Sequence, residues 1–325
     1  MKKKLFILMT IMLVIVLGST FIITLAKKEN GKSNKITIVT TFYPMYVLAK
    51  NVVGDESGTE VVNLTEFQSG CLHDYQLTTS DMKKLENADI LIMNGGGMES
   101  FIENVLEVYP NLPIINASEG INYLLSEGHA HEVETIDGGD EDKQIESEET
   151  QPQEEYNAHV WLNMNYYLQE IKTVQDALSE YDAQNSRIYQ ANGTAYQEQI
   201  KVLKADMETA LKAAAGTEVV IFHDSFAYLA QELGLDVIHT VNMDSESSLS
   251  AGEIAEVVDE VNEKQIKVLF TEEQYSTSIA DNIAKETDAS VYVIDSIVRG
   301  EMSKDGYITA MKKNLEVLKQ ALGTK

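Results

Sequence analysis

A chain of 325 residues with 44% hydrophobic content is long enough to bury a sizeable core, which excludes a disordered protein and suggests two domains. Its net charge of −27, from 25 Lys and Arg against 52 Asp and Glu, makes nucleic acid and anionic membrane surfaces poor partners and favours cations. One cysteine excludes an internal disulfide.

Residues 1–30 read as a signal peptide or N-terminal membrane anchor. MKKK precedes an uncharged run of 22 residues, Leu5 to Ala26, closed by Lys27 and Lys28. The run approaches the roughly 20 residues that span a bilayer, so an uncleaved anchor is one outcome and cleavage after Ala26 the other. Both place the body of the protein outside the cytoplasm, secreted or anchored at the cell surface. Without residues 1–28, which carry five Lys and no acid, the net charge is −32.

From residue 36 short β-branched runs alternate with helical patterns. ITIVTT (36–41) precedes a helix near 45–53, VVNLT (61–65) one near 80–87, and DILIMN (89–94) one near 98–108; PIINAS (113–118) closes the series. Residues 127–158 break the rhythm: eleven acids lie between Glu132 and Glu155, beside His129 and His131, with a single Lys. Too few apolar residues are present to order this stretch, which predicts a mobile acidic loop.

Residues 165–215 carry no strand signal, no Pro and one Gly, with Ile188, Tyr196, Ile200, Leu203, Met207 and Leu211 at helical spacing and a break expected near 181–184. The strand-helix rhythm then resumes with EVVIF (218–222), a helix near 225–233, LDVIHTV (235–241) and a helix opened by the capping box Ser250-x-x-Glu253. IKVLFT (266–271), a helix near 276–287, SVYVID (290–295) and a helix near 304–322 complete it. Strands separated by helices imply parallel βαβ units. The expected division is an N-terminal α/β lobe over 35–164, a helical region over 165–216 with a long connecting helix, and a C-terminal α/β lobe over 217–325.

Ligands of open parallel sheets bind outside the carboxyl ends of the strands. His223 directly follows EVVIF, Asp295 ends SVYVID, His73 follows VVNLT, and His159 stands in NAHVWLN before the long helical region. Three imidazoles and one carboxylate suit tetrahedral zinc; manganese prefers more oxygen. Each residue also has a plainer reading, a hydrogen-bonded His or an Asp helix cap. Glu272 or Glu273 is an alternative oxygen donor to Asp295, and Asp224 and Asp81 are candidates to orient a ligand imidazole or to cap helices. His239, inside a strand, reads as a satisfied face histidine, Cys71 as a small apolar residue, and His129 and His131 as a weak metal trap or a solvated tract. His223-Asp224-Ser225 has the residue types of a catalytic triad, but chain neighbours cannot adopt its geometry. Gly95 to Gly97 lack the Walker lysine and the G-x-G-x-x-G spacing of a phosphate cradle, so a tight turn is expected.

In combination, HDYQLTTSD (73–81), AHVWLN (158–163), FHDSFAYLAQELGL (222–235) and FTEEQ leading to Asp295 resemble the substrate-binding proteins of zinc and manganese ABC importers. The resemblance implies two α/β lobes joined by a long rigid helix, one metal in the interlobe cleft, and His73, His159, His223 and Asp295 as its ligands. Histidine at the third position marks the zinc type, so Zn2+ is expected rather than Mn2+ as the transported ligand. The implied partners are the metal ion and an ABC permease, the implied state a monomer, and the role a carrier rather than an enzyme. The sequence departs from the family at Leu72, Leu77 and Ser296, where Pro is usual, and at Asn157-Ala158, where Asp-Pro is usual. An extracellular zinc hydrolase using Asp295 as base, and a surface adhesion protein with a structural metal, are alternative functions for the same residues.

Overall fold

The computed structural model describes residues 35–65, 72, 75–126, 156–241, 250–273 and 277–324. The apolar N-terminal run lies outside these residues, as do Cys71, His73, His129 and His131.

The first half forms a parallel sheet from β1 (Thr37–Thr40), β2 (Glu60–Asn63), β3 (Ile90–Met93) and β4 (Ile114–Asn116), in the order β2-β1-β3-β4. A short antiparallel pair follows, β5 (Leu124–Leu125) with β6 (Tyr156–Asn157). The expected acidic loop of 127–158 therefore ends early: its last residues are a strand too short to leave a period in the sequence, and 127–155 lie outside the described residues. The second half repeats the design with β7 (Glu218–Ile221), β8 (Asp236–Thr240), β9 (Val268–Glu272) and β10 (Ser290–Ile294), in the order β8-β7-β9-β10. Strands β1, β3, β7 and β9 are almost wholly buried, whereas β2, β8 and β10 are largely half-exposed. Continuous apolar runs are what a parallel sheet covered on both faces requires. In each sheet the strand order reverses beside its first strand, between β1 and β3 and between β7 and β9, which places a crevice at their carboxyl ends.

Helix α1 (Tyr43–Val53) carries Pro44 in its first turn and buries nine residues, and α2 (Thr79–Glu86) is opened by a Thr78–Asp81 capping box. Asp81 also accepts from Tyr75 Oη at 2.8 Å, so of its two expected parts the helix cap is present. Helix α3 (Ile102–Val108) begins later than the expected residue 98. Gly95, Gly96 and Gly97 all have positive φ, and the Asn94 and Gly95 amides donate to Glu99 at 2.8 and 3.0 Å. A β-carbon at Gly95 would meet Asn116 Oδ1 at 2.1 Å, which explains glycine there. This glycine turn thus cradles the protein's own carboxylate.

Helices α4 (Met164–Tyr181) and α5 (Ser186–Leu211) break where the sequence predicts, with Asp182 accepting from Asn185 Nδ2 at 2.7 Å and Tyr189 Oη at 2.8 Å. The 26 residues of α5 span about 39 Å at 1.5 Å per residue. It packs on α1 of the first half and on α9 (Gly306–Ala321) of the second. Helices α6 (Ala227–Leu233), α7 (Ala251–Glu263) and α8 (Ser278–Glu286) complete the second half, and the Ser250–Glu253 capping box opens α7 as expected.

A single apolar cluster runs from Ile38 and Val39 through Trp161, Tyr167 and Tyr196 to Tyr307 and Leu318, so the two halves share a core. Tyr167 and Tyr307 stack at 3.8 Å, and Tyr43 Oη and Asn51 Nδ2 of α1 donate to the Glu301 and Lys304 carbonyls, each at 2.8 Å. Such an interface resists hinge opening. A second core joins Val220 and Leu269 to Val257 and Ile283 on the far side of the second sheet.

Glu170 of α4 is fully buried, and neither carboxyl oxygen has a hydrogen-bond partner among the described residues. Burial, and then the charge of Glu99, push its pKa well above the usual carboxylate range. A carboxyl that is neutral when folded but ionises near pH 4.3 when unfolded loses stability as pH rises, about 1.4 kcal/mol per unit until its folded pKa is passed. Glu170→Gln cannot ionise, so its gain in melting temperature over the parent protein should be larger at pH 8 than at pH 5. A gain that does not change with pH would exclude ionisation as the cause.

Candidate metal centre

The β7 ladder continues one residue past the strand through Phe222 N to Phe270 O, at 2.8 Å, and His223 then turns out of it in an extended conformation. Its ring is fully buried, with Nδ1 hydrogen bonded to Glu272 Oε1 at the end of β9. That oxygen also accepts from Ser225 Oγ at 2.5 Å, and Glu272 Oε2 accepts from Ser296 Oγ at 3.1 Å. With Nδ1–H donated, the neutral ring carries its lone pair on Nε2, the arrangement of a ligating imidazole backed by a carboxylate. Both Glu272 oxygens are engaged behind His223, and Glu272 orients its ring.

His159 is set in place by the first half. Asn94, just beyond β3, donates from Nδ2 to the Ala158 carbonyl at 2.9 Å, while Glu99 and Thr41 hold its loop through a Thr41 Oγ1–Glu99 bond of 2.7 Å. Asn157 Oδ1 lies 3.0 Å from the His159 amide and 2.9 Å from its Nδ1, and Asn157 Nδ2 donates to the Asp224 carbonyl at 2.7 Å. One side-chain amide therefore ties the first histidine segment to the second. The His159 and His223 rings meet edge to face at 4.9 Å, and Trp161 lies 5.3 Å from His159.

Asp224 stands between the two rings. Its Oδ1 is 3.5 Å from His159 Nδ1 and 3.6 Å from His223 Nε2, and its Oδ2 accepts from Ser126 Oγ at 2.9 Å. One donor atom from each of the three residues falls within 4.8 Å of the others, and all three residues are buried. The sequence offers Asp224 only as an orienting or capping residue; its place directly after a strand-end histidine is the signal for its position beside both rings.

Asp295 does not belong to that group. It follows β10, accepts from the Ile297 amide at 2.7 Å through Oδ1, and is clamped by Asn314 at 2.8 and 2.7 Å. Ile297 is fully buried at φ 62, a conformation costing a β-branched residue about 1–3 kcal/mol, so packing over-determines this turn. Burial, then Glu273 and Glu272, raise the Asp295 pKa. Trp161 Nε1 donates to the Ser296 carbonyl at 2.8 Å, which ties the Asp295 turn to the His159 segment. His239 lies 3.0 Å from Glu260 on the half-exposed face of β8, the satisfied histidine expected there.

Two parallel sheets of like order, their carboxyl ends facing one buried group of two imidazoles and a carboxylate, define a two-lobed α/β solute-binding protein. The chain belongs to the ZnuA family, described as zinc-uptake complex component A, periplasmic, whose model matches residues 38–321. It is 29% identical over 299 residues to the high-affinity zinc uptake system protein ZnuA of Bacillus subtilis (strain 168), covering 90% of this chain and 89% of that one. It is 27% identical over 323 residues to the zinc-binding protein AdcA of Streptococcus pyogenes serotype M18, covering 98% of this chain but only 61% of AdcA. Among solved structures, the Zn(II)-bound ZnuA-like domain of Streptococcus pneumoniae AdcA superposes with a TM-score of 0.69 at 25% identity, covering 89% of this chain and 99% of that one. The Mn2+ complex of FpvC from Pseudomonas aeruginosa gives 0.75 at 24% identity, with the same coverages, a likeness of fold.

Proposed function

We propose that the protein is a monomeric carrier that captures a divalent metal ion outside the cytoplasm, Zn2+ in preference to Mn2+, and delivers it to the permease of an ABC importer. His73, His159, His223 and Asp295 are the proposed ligands. The observation that carries this reading is the meeting of His159 and His223 at 4.9 Å in a buried site, each ring nitrogen Nδ1 already hydrogen bonded to a side-chain oxygen. Neutral imidazoles with a carboxylate are the donor set of zinc, and an oxygen-seeking ion such as manganese is matched less well. Four protein ligands leave no coordination position for a reactive water, so the site suits holding and release rather than catalysis. The zinc named in the descriptions of the AdcA and ZnuA relatives supports the same choice.

Metal content and competition titration of the purified protein test this reading. One tightly held Zn2+ per chain, not displaced by equimolar Mn2+, is the expected result. A folded protein that takes up no Zn2+ from a micromolar chelator buffer would end it. Glu272→Gln should weaken zinc binding by about 10- to 100-fold, the usual cost of losing a partner that orients a ligating histidine. An unchanged affinity would show that the Glu272 bond to His223 has no bearing on the metal.

A further inference from the structure

His159 and His223 come from different halves of the chain, yet one helical stretch of the second half bonds the backbone on both sides of His159. The turn Asp224–Phe226 runs directly into α6 (Ala227–Leu233), and residues 224, 228 and 232, four apart, are neighbours along one helical face. Asp224 accepts from Ser126 Oγ at 2.9 Å and, on its carbonyl, from Asn157 Nδ2 at 2.7 Å. Tyr228, fully buried, accepts on Oη from the Leu124 amide at 2.8 Å and donates to the Asn157 carbonyl at 2.7 Å. Glu232 accepts from the Met164 amide at 2.8 Å and from Asn165 Nδ2 at 3.2 Å, at the start of α4. Every one of these partners lies within residues 124–126 or 156–165, so His159 sits between two anchor points.

We propose that Tyr228 is a positioning residue for the metal site: with Asp224 and Glu232 on either side of it, it fastens the His159 segment to the second half, so that His159 is held beside His223 by the protein itself. The proposal rests on the carrier reading above. Tyr228 uses its hydroxyl both ways, accepting one bond and donating the other. The donated bond ends on Asn157, whose side chain lies 2.9 Å from the His159 ring, so the phenol acts on that ring through one intermediate residue. The Tyr228 ring is itself fixed, edge to face with Tyr166 at 5.7 Å and in one apolar cluster with Ile121 and Val160, the residue after His159. Among the described residues, the hydrogen bonds of the Tyr228 and Glu232 side chains go to none of the proposed ligands. Two imidazoles already in place take up an ion without the entropy loss of ordering the segment that carries one of them, and preorganisation of this kind raises affinity.

Competition titration with Zn2+ tests this on Tyr228→Phe, beside Val257→Ala, which thins the second core on the far side of the second sheet. Both variants should melt below the parent protein. Tyr228→Phe should also bind Zn2+ about ten-fold more weakly, the low end of what an outer partner of a ligating histidine contributes, whereas Val257→Ala should bind it normally. The visible absorption of the Co2+ complex, which follows ligand geometry, should change in Tyr228→Phe alone. Glu232→Ala should weaken zinc binding several-fold, and Glu232→Gln, which keeps an acceptor for the Met164 amide, should restore most of the loss. Parental zinc affinity in a folded Tyr228→Phe would overturn the proposal, as would a loss no larger than that of Val257→Ala. If Tyr228→Phe does not fold, parental affinity in Glu232→Ala overturns it instead. Failure of the unsubstituted protein to bind Zn2+ would remove the carrier reading itself.

Discussion

His223→Ala should lower zinc affinity by well over the roughly 100-fold that marks the upper range for loss of an outer partner, and so by more than Glu272→Gln. His223 is the residue on which both halves of the site converge. Its Nδ1 is held by Glu272, its Nε2 lies 3.6 Å from Asp224, and its ring meets His159 at 4.9 Å. Removing the ring deletes a donor and also takes one hydrogen bond from the buried Glu272 carboxylate, which keeps those from Ser225 and Ser296, at a cost of about 1–3 kcal/mol. The metal-free variant should therefore melt a few degrees lower, and added Zn2+ should raise its melting temperature far less than it raises that of the parent protein. Competition titration gives the affinity and thermal melting gives the linkage. Normal zinc affinity in His223→Ala would remove His223 from the site, whatever the fold.

The position of His223 was legible because EVVIF is a β-branched run ending at a histidine, and a parallel sheet presents strand ends to a crevice. The role of Glu272 was not legible. It depends on register: β7 and β9 pair Ile221 with Phe270, which carries residue 223 to the level of residue 272, and no periodicity within either strand reports that offset. His159 was found only through a motif, since its placement comes from Asn157 and from the Asn94 bond to the Ala158 carbonyl, local contacts without a repeating pattern. The two-helix connector and its break could be read because apolar residues recur at helical spacing through α5. The shared core was hidden for a different reason. Tyr167, Tyr196 and Tyr307 read as amphipathic residues on separate helices, yet they are buried against one another, and only the folded chain brings α4, α5 and α9 together.

That core makes the second large effect a structural one. Trp161 is fully buried, packs edge to face on Phe42 at 5.0 Å, donates Nε1–H to the Ser296 carbonyl at 2.8 Å, and accepts Tyr307 Oη on its own carbonyl at 2.7 Å. Truncating a buried aromatic of this kind costs about 3–5 kcal/mol, a large part of the roughly 5–15 kcal/mol that keeps a domain folded. Trp161→Ala should therefore lower the melting temperature by on the order of 10 °C. It should also weaken zinc binding although it touches no proposed ligand except through the His159 ring, because Ser296 both receives the indole N–H and donates to Glu272. Trp161→Phe restores much of the buried surface and none of the hydrogen bond. Its stability should lie between those of the other two proteins, with zinc affinity still reduced, and the gap between Phe and Trp in the titration measures what the indole bond to Ser296 does for the site. Equal affinity in Trp161→Phe and the parent protein would mean that Trp161 serves the core alone.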